Sequence, residues 1–588
     1  MIVPMKKVYV VCAAEQAYLT LDRLHALGVL HLEPVTIPEG HELDEASHQV
    51  QRVQTILKVL KPDPDRAPSG KDGPSVVEAV WDLYQKRQQL DGELEALRAE
   101  RERIAPFGDF DPKRIQQLSK RGIHVGLYCV ESNTGLNVPD DLVRVALQRD
   151  KNRQYLGVFG SAPFELDIAP VQMPESSLSE LDLTIARIEQ QRAYVLDRFC
   201  SYAGDVERVR RMAVEAIDAR NLIRARLGMG KRGALAYLAG YCPVDALSSV
   251  YELAGFHGWA VLDEEPSSLE AVPTLVRHPR WVKPIKLVLD FINITPGYEE
   301  VDISSAFLLF FSLFFAMIVG DAGYGLLFLI LTLVGSRVFK QAPRSVFHLL
   351  TVMSLGTLAW GAITGTWFGL ARLPAWLEAP VIPWLKDEKN LMLLCFFIGA
   401  VHLTLAHVWC LIQYVNRPRA LAEVGWIATT WVMFFVARTM VLGFPFPFWG
   451  KGVFGAGVLL IVVFMTPFRQ IKQEWFNHVM LPLTLIGSFV DVVSYVRLFA
   501  VGMATLAMAA AFNSIGAGMA EGGGVGGALA AALVIFVGHS LNILLASMGV
   551  LVHGIRLNTL EFSGHLGLQW KGIPYRPFSR TLQQKETT

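Results

Sequence analysis

Two stretches near the end of the chain, 482-PLTLIGSFVDVVSYVRLFAVGMATLAMAAAF-512 and 528-ALAAALVIFVGHSLNILLASMGVLVHGIRLNTL-560, decide how the rest is read. Each is apolar enough to be a membrane helix, yet each holds an arginine, Arg497 and Arg556. A guanidinium at bilayer depth costs roughly 2.5–3.5 kcal/mol on insertion scales, so such residues face a polar pathway or a partner. Arginine keeps its proton at any physiological pH, which makes it a fixed charge and a poor ion carrier. A fixed cation held in a membrane is suited to making a passing carboxylate give up its ion.

The surroundings support a membrane reading. Residues 301–588 carry 18 Lys/Arg and 11 Asp/Glu in 288 positions, against 36 and 43 in the first 300. The first half is therefore a soluble, mildly acidic body of net charge −7, long enough to bury a core of its own. The second half, at +7, is apolar enough to be membrane. The opening run MIVPMKKVYVVCAAEQAY is too short in apolar residues for a signal peptide, so the soluble half is expected in the cytoplasm. The six cysteines contain no Cys-x-x-Cys pair, which predicts reduced, buried thiols and no zinc site.

Within the soluble half, 6–35 reads strand, helix, strand, and 234–265 repeats that order and can complete the same lobe. Leu83, Leu90, Leu94, Leu97 and Ile104 mark a long helix at about 74–105. Leu181, Ile185, Ile188, Val195, Phe199, Val206 and Val209 mark a second at about 175–227. Apolar stripes with charged outer faces predict an antiparallel coiled coil. The runs 123–130, 142–147 and 154–160 predict strands of a small second lobe. The segment 228-GMGKRG-233 fails as a phosphate loop, because Ala225 stands where the first glycine belongs and Arg232 where the hydroxyl belongs. This half reads as a strut.

Apolar spans are expected at about 304–319, 322–338, 347–369, 390–414, 424–441, 452–467, 482–513 and 528–560. Eight spans put both termini on the cytoplasmic side. The expected inner loops and tail carry eleven Lys/Arg, including Arg417, Arg419 and Arg469, and the outer loops at most five, including Arg372 and Arg438. The last two spans reach roughly 48–50 Å, well beyond a hydrocarbon core of about 30 Å, so they must tilt or project into the cytoplasm. On a steeply tilted helix, Arg556 stays deep enough to face Arg497. His539, Asn542, Ala546, Gly549, His553 and Arg556 follow steps of three and four along one helical face, and Asp491, Ser494 and Arg497 lie within two turns of each other. Small residues there permit close approach of another helix, and polar ones can bond across the contact.

With these residues in view, the chain resembles the membrane stator subunit of the V/A-type rotary ATPases, called subunit I in prokaryotes and subunit a in eukaryotes. The resemblance covers essentially the full length. It rests most on 493-VSYVRLFAVGMA-504, 553-HGIRLNTLEF-562 and 320-GDAGYG-325, and more weakly on 296-PGYEEVD-302 and 106-PFGDFDP-112. It implies an α+β cytoplasmic arm, 1–295, built from two α/β lobes (about 1–60 with 230–290, and 110–172) joined by long coiled-coil helices. It also implies an all-α membrane domain of eight transmembrane helices, 296–565, and a cytoplasmic tail, 566–588, in a prokaryotic plasma membrane.

The resemblance further implies that Arg497 and Arg556 stand against a rotating ring of proteolipid subunits and separate two aqueous half-channels for H⁺ or Na⁺. Peripheral stalks would hold the arm, with the central stalk and ATPase head as indirect partners. No cofactor, metal, nucleotide site or nucleic-acid partner is implied, and the chain would not itself be an enzyme. Asp491, His539, His553 and Glu561 on the two long spans, and Glu423, His402, His407 and Asp321 on the others, are half-channel candidates, with Ser494 and Asn542 beside them. Each reads equally as a structural hydrogen-bonding group; Glu561 in particular could pair near the cytoplasmic end, and Asp321 could order the glycine-rich turn. Two glutamates of the eukaryotic pattern are missing, since Ala546 and a position near Leu483 stand in their places. The turnstile role requires an Arg497 that neither points into lipid headgroups nor is locked against a carboxylate of its own chain; either outcome would remove the role. The rival readings are a self-contained secondary transporter with a cytoplasmic regulatory domain, and a membrane-anchored scaffold whose arginines merely pair internally. No pair of matching halves favours the transporter, and both long helices are expected to be continuous.

Overall fold

The computed structural model describes residues 1–588 except 64–65, 132–137, 151, 267–271, 341, 371–373, 375–380, 468–470, 523 and 582–588. Arg372, Arg469 and Lys585, three of the charges that bear on topology, lie outside the described residues. The chain divides into two compact units. One comprises Val8–Gly240, Ser248–Leu262 and Pro577–Thr588, and the other Met1–Lys7, Tyr241–Leu247 and Asp263–Arg576.

The N-terminal fold starts as expected: strand β1 (Met5–Ala13), helix α1 (Ala17–Leu27), strand β2 (His31–Glu33). Helix α1 stops at Gly28, whose φ of 69° is a left-handed conformation that glycine adopts without strain. Helix α2 (His41–Val59), which the sequence reading missed, buries Val50, Val53 and Ile56. Helix α3 (Gly73–Ile104) follows the expected bounds closely and is followed by a short turn through Pro106. After α4 (Pro112–Lys120), strands β3 (His124–Glu131), β4 (Val143–Arg149) and β5 (Arg153–Gly160) form an antiparallel sheet in the order β3-β5-β4.

The second long helix was expected to run unbroken over 175–227. It is two helices, α5 (Leu178–Ser201) and α6 (Val206–Leu227). A capping box fixes its start: the Ser177 hydroxyl accepts from the Glu180 amide at 3.2 Å, and Glu180 accepts from the Ser177 amide at 3.0 Å. The break falls at Gly204, where any side chain would strike the backbone of Ala67, 2.8 Å from a Cβ. Buried Asp205 accepts the Ser69 amide at 3.0 Å and fixes that approach.

Helices α3 and α5 pair antiparallel, because Asp91 meets Arg192 at 2.5 Å while Arg98 meets Glu189 at 2.5 Å. Leu90, Leu94, Ile185, Ile188 and Val195 form the seam between them. Strands β6 (Gly230–Arg232) and β7 (Leu235–Pro243) make a hairpin out of the failed phosphate loop, turning at Gly233 with φ 63°. With α7 (Leu247–His257) and β8 (Ala260–Glu264), the larger sheet is completed in the order β2-β7-β1-β8. Residues 577–581 of the tail pack in this unit: the Phe578 amide donates to the Leu30 carbonyl, its ring lies 4.6 Å from that of His25, and the Thr581 amide donates to Asp218. All six cysteines are free thiols; against expectation Cys200 is exposed and Cys129 half-buried, since each lies on the outer side of its element.

In the other unit a short helix, α8 (Lys286–Phe291), precedes the apolar helices. Five of these among the described residues are long and apolar enough to cross a membrane, and three are shorter. The first pair, α9 (Ser304–Val319) and α10 (Ala322–Val338), are of the short kind. They are followed by α11 (Arg344–Thr364), α12 (Glu388–Gln413), α13 (Ala420–Leu442) and the short α14 (Gly450–Phe464). Helix α9 is apolar all round and buried on nearly every side; Phe307, Phe310, Phe311 and Phe314 centre a core shared with Phe396, Tyr495 and Phe562. The two long spans are longer than read, Glu474–Glu521 and Gly524–His565, at 48 and 42 residues. Neither is a continuous α-helix: the first is interrupted at Tyr495 and the second ends in π-helical turns.

Candidate functional site

The first long span is α15 (Ile471–Ser494) and α16 (Val496–Gly522), interrupted at Tyr495. Tyr495 is fully buried, and its hydroxyl bonds His402 Nδ1 at 2.8 Å. That anchor sits at the interruption, where Arg497 Nε donates to the Ser494 carbonyl at 2.9 Å. The second span is α17 (Gly524–Gly549), continued by π-helical turns over Val550–Gly554 and Leu557–Phe562. Helices α16 and α17 lie antiparallel, since Asn513 meets His539, Thr505 meets Asn542 and Arg497 meets Glu561 in reversed order. Close packing requires glycine at Gly502, where a Cβ would sit 2.6 Å from the Met317 carbonyl oxygen.

The π turns decide the chemistry. In an α-helix, residues five apart point about 140° away from each other. A π turn closes on i→i+5 and stacks them, and such turns concentrate at functional sites. Glu561 thereby comes round to the side of Arg556 and also meets Arg497. Arg497 Nη2 lies 2.6 Å from Glu561 Oε1, and Arg556 Nε lies 3.5 Å from the same oxygen. Arg497 is therefore paired within its own chain, which corrects the requirement read from the sequence. Its charge is nonetheless not cancelled, because one carboxylate stands between two guanidiniums and one positive charge is left over. Glu561 is 4% exposed, Arg497 21% and Arg556 54%, so the surplus charge sits on the open side. The expected six-residue stripe holds to Gly549, after which the π turns rotate His553 and Arg556 out of phase with it.

Toward α15 from Arg497 lies a row of four titratable groups. Glu423 Oε2 lies 2.9 Å from His407 Nδ1, His407 Nε2 lies 2.9 Å from His565 Nδ1, and His565 Nε2 lies 3.1 Å from Asp491 Oδ2. A cavity of about 390 Å³ adjoins the row, lined also by Tyr414, Arg419, Ser488 and Gly567. The sequence reading named three of the four and missed His565, which lies beyond the last apolar span as read, 528–560. His402 belongs elsewhere: its ring is stacked between Phe310 at 3.8 Å and Phe562 at 4.2 Å, in an aromatic box.

In the other direction along α16 lies a second polar group. Tyr324 Oη bonds His539 Nδ1 at 2.5 Å and accepts from Asn542 Nδ2 at 3.0 Å, while His539 Nε2 meets Asn513 Oδ1 at 3.0 Å. Asn542 Nδ2 also donates to the Thr505 carbonyl at 2.9 Å, tying α17 to α16. Asp321 caps α10 and accepts four backbone amides, from Gly323, Tyr324, Phe368 and Gly369, at 2.8–3.3 Å. It orders the glycine-rich turn and the loop against it. Tyr324 and Asn513 were not singled out from the sequence, although Tyr324 lies within the quoted 320-GDAGYG-325. Ser494 contributes its carbonyl to Arg497, and His553 Nδ1 is buried with no hydrogen-bond partner among the described residues.

No family model matches this chain. Among curated proteins, the V-type ATP synthase subunit I 1 of Treponema pallidum (strain Nichols) is 30% identical, the alignment covering 98% of this chain and 100% of that protein. The V-type ATP synthase subunit I of Borreliella burgdorferi is 28% identical over 99% and 100% of the two chains. The A-type ATP synthase subunit I of Archaeoglobus fulgidus is 24% identical over 98% of each. A crystal structure of the cytoplasmic N-terminal domain of subunit I, homolog of subunit a, of V-ATPase aligns with 44% of this chain at 15% identity and a TM-score of 0.22, too low a likeness to bear on the fold. End-to-end similarity to these proteins, carried through both the soluble half and the two arginine-bearing spans, means that this chain belongs to the subunit I family of the V-type ATP synthases.

Proposed function

We propose that this non-catalytic membrane subunit is the stator of a rotary V/A-type ATPase, passing ions between itself and a ring of proteolipid subunits. The observation that carries the reading is the triad of Arg497, Glu561 and Arg556, with one positive charge left over on its open side. A carboxylate of the ring at about 4 Å gains roughly 4 kcal/mol from one such charge at an effective dielectric near 20, offset in part by desolvation. The ionised form is therefore favoured only while it passes the triad. Ala500, Ala504, Ala507 and Ala511 continue from Arg497 at alternating steps of four and three, all exposed, as a smooth face for a ring to slide along.

The two polar groups lie on opposite sides of Arg497 along the same rod, which suits two half-channels that do not meet. The row from Glu423 to Asp491 is the cytoplasmic one, next to Arg417 and Arg419 in an expected inner loop. The group around Tyr324 and His539 is the outer one. An even number of crossings, with both termini cytoplasmic, is supported by residues 577–581, which pack within the soluble unit. The soluble arm, about 1–295, would be held by peripheral stalks, so that torque turns the ring and not this chain.

The test is Arg497→Ala in the reconstituted complex. ATP-linked pumping is expected to be lost while the ring and ATPase head still co-purify with the variant. Normal coupling would remove the assigned role, and transport of a solute by the isolated chain would favour the transporter reading.

A further inference from the structure

Helix α12 buries a histidine that belongs to neither polar group. His402 is fully buried, its ring stacked between Phe310 at 3.8 Å and Phe562 at 4.2 Å, with Phe314 edge-on at 5.6 Å. Its Nδ1 bonds the Tyr495 hydroxyl at 2.8 Å, and its Nε2 has no hydrogen-bond partner among the described residues. As packing alone this is a poor choice. A phenylalanine would fill the box without leaving a buried ring nitrogen unpaired, so the bond to Tyr495 is what the imidazole contributes. The two residues it holds flank the triad: Tyr495 stands two places before Arg497, and Phe562 directly follows Glu561.

Tyr495 is also where the first long span breaks. The Leu498 amide donates to the Tyr495 carbonyl at 3.1 Å, three residues back, where an unbroken α-helix would send it four back to Ser494. The Ser494 carbonyl is thereby left to accept Arg497 Nε at 2.9 Å. That bond aims the guanidinium so that Nη2 reaches Glu561 at 2.6 Å. On the other long span, the ring of Phe562 lies nearly parallel to that of His402, the planes 10° apart. This stack holds the end of the π turn Leu557–Phe562, the turn that brings Glu561 round.

We propose that His402 is a positioning residue of the stator: one imidazole, bonded to Tyr495 and stacked on Phe562, sets the distance between Arg497 and Glu561. The proposal rests on the stator reading and adds to it the part that holds the triad in register. His402 carries no ion in this role. Without its bond, Tyr495 is free to turn and the helix can close through residue 495. The Leu498 amide then takes the Ser494 carbonyl back, and Arg497 loses the acceptor that aims it.

Two variants cut the same bond from either end: Tyr495→Phe removes only a hydroxyl, and His402→Phe keeps a ring in the stack. Each intact complex, purified with its ring and ATPase head, is placed in liposomes. ATP hydrolysis, proton uptake and sodium uptake are measured together, so that either ion is counted. Passive leak is measured in the membrane sector stripped of its head. Both variants are expected to pump on the order of tenfold fewer ions per ATP and to leak more, since a misplacement of about 1 Å can cost a positioned group roughly a hundredfold. The double variant should do no worse than the worse of the two singles, because both remove one bond. A residue that only supports the fold would lower the yield of complex and leave ions per ATP and leak unchanged in what assembles; that result in Tyr495→Phe overturns the proposal. So does a double variant whose losses multiply. Should His402→Phe fail to assemble, Tyr495→Phe alone decides. A wild-type complex that pumps neither ion overturns the stator reading instead, before any variant is compared.

Discussion

Glu561→Gln is the sharpest test of the triad. The glutamine keeps the size of the side chain and an oxygen for Arg497, but it removes the one negative charge that two guanidiniums share at 2.6 and 3.5 Å. The surplus charge rises from one to two. A ring carboxylate placed about 4 Å beyond the Arg497 guanidinium, which itself lies 2.6 Å from Glu561, would stand on the order of 6 Å from Glu561. At an effective dielectric near 20, their mutual repulsion is about 3 kcal/mol. Removing it lets the triad hold the passing carboxylate more tightly, by roughly a hundredfold at 1.4 kcal/mol per decade. Water around the half-exposed Arg556 screens part of this, so a slowing between about tenfold and a hundredfold is expected. The assay is the reconstituted complex, with ATP hydrolysis and ion pumping measured together. Both should slow in step, and passive leak through the membrane sector stripped of its ATPase head should not rise. Pumping at the wild-type rate would refute the shared-carboxylate argument. So would loss of pumping with hydrolysis unslowed, because that would make Glu561 part of the barrier between the half-channels.

Asp321→Ala leaves four backbone amides without their acceptor and should cost on the order of 3 kcal/mol, read as a lower melting temperature of the purified complex. Asp321→Asn keeps an acceptor oxygen and should cost less; if it also pumps normally, Asp321 is a structural cap and not a relay. In the soluble unit, His25 is held below its ordinary 6.5 chiefly by burial, with Arg580 adding to the effect and Asp218 opposing it. A depressed folded value means that the docked state of residues 577–581 is fully favoured above about pH 6.5 and loses that contribution as pH falls toward the folded value. Amide exchange in 577–581 should therefore quicken on going from about pH 7.5 to 5.5, once intrinsic rates are divided out, and should not in His25→Phe. Cys200 is exposed, whereas burial pushes the Cys242 thiol up to about 12, so a maleimide at mildly alkaline pH should label Cys200 well before Cys242. Equal labelling would contradict the packing around β7.

What the sequence settled alone was whatever depends on local pattern. Leucine spacing located α3 and the α5–α6 pair, alternation located β3 to β5, and charge density separated the soluble half from the apolar one. The arginines stood out because a charge inside an apolar run is expensive wherever the run folds. Tertiary contacts decided what pattern cannot encode. The helix expected over 175–227 breaks at Gly204 because the backbone of Ala67 presses against it, and the break at Tyr495 is pinned by His402 from another helix. The π turns after Gly549 carry no signature in the hydrophobic period, yet they bring Glu561 to Arg556 and Arg497, and so turn a lone cation into a shared one. His565 was invisible for the same reason: its partners His407 and Asp491 lie 158 and 74 residues away in the chain, and only folding brings them within a hydrogen bond.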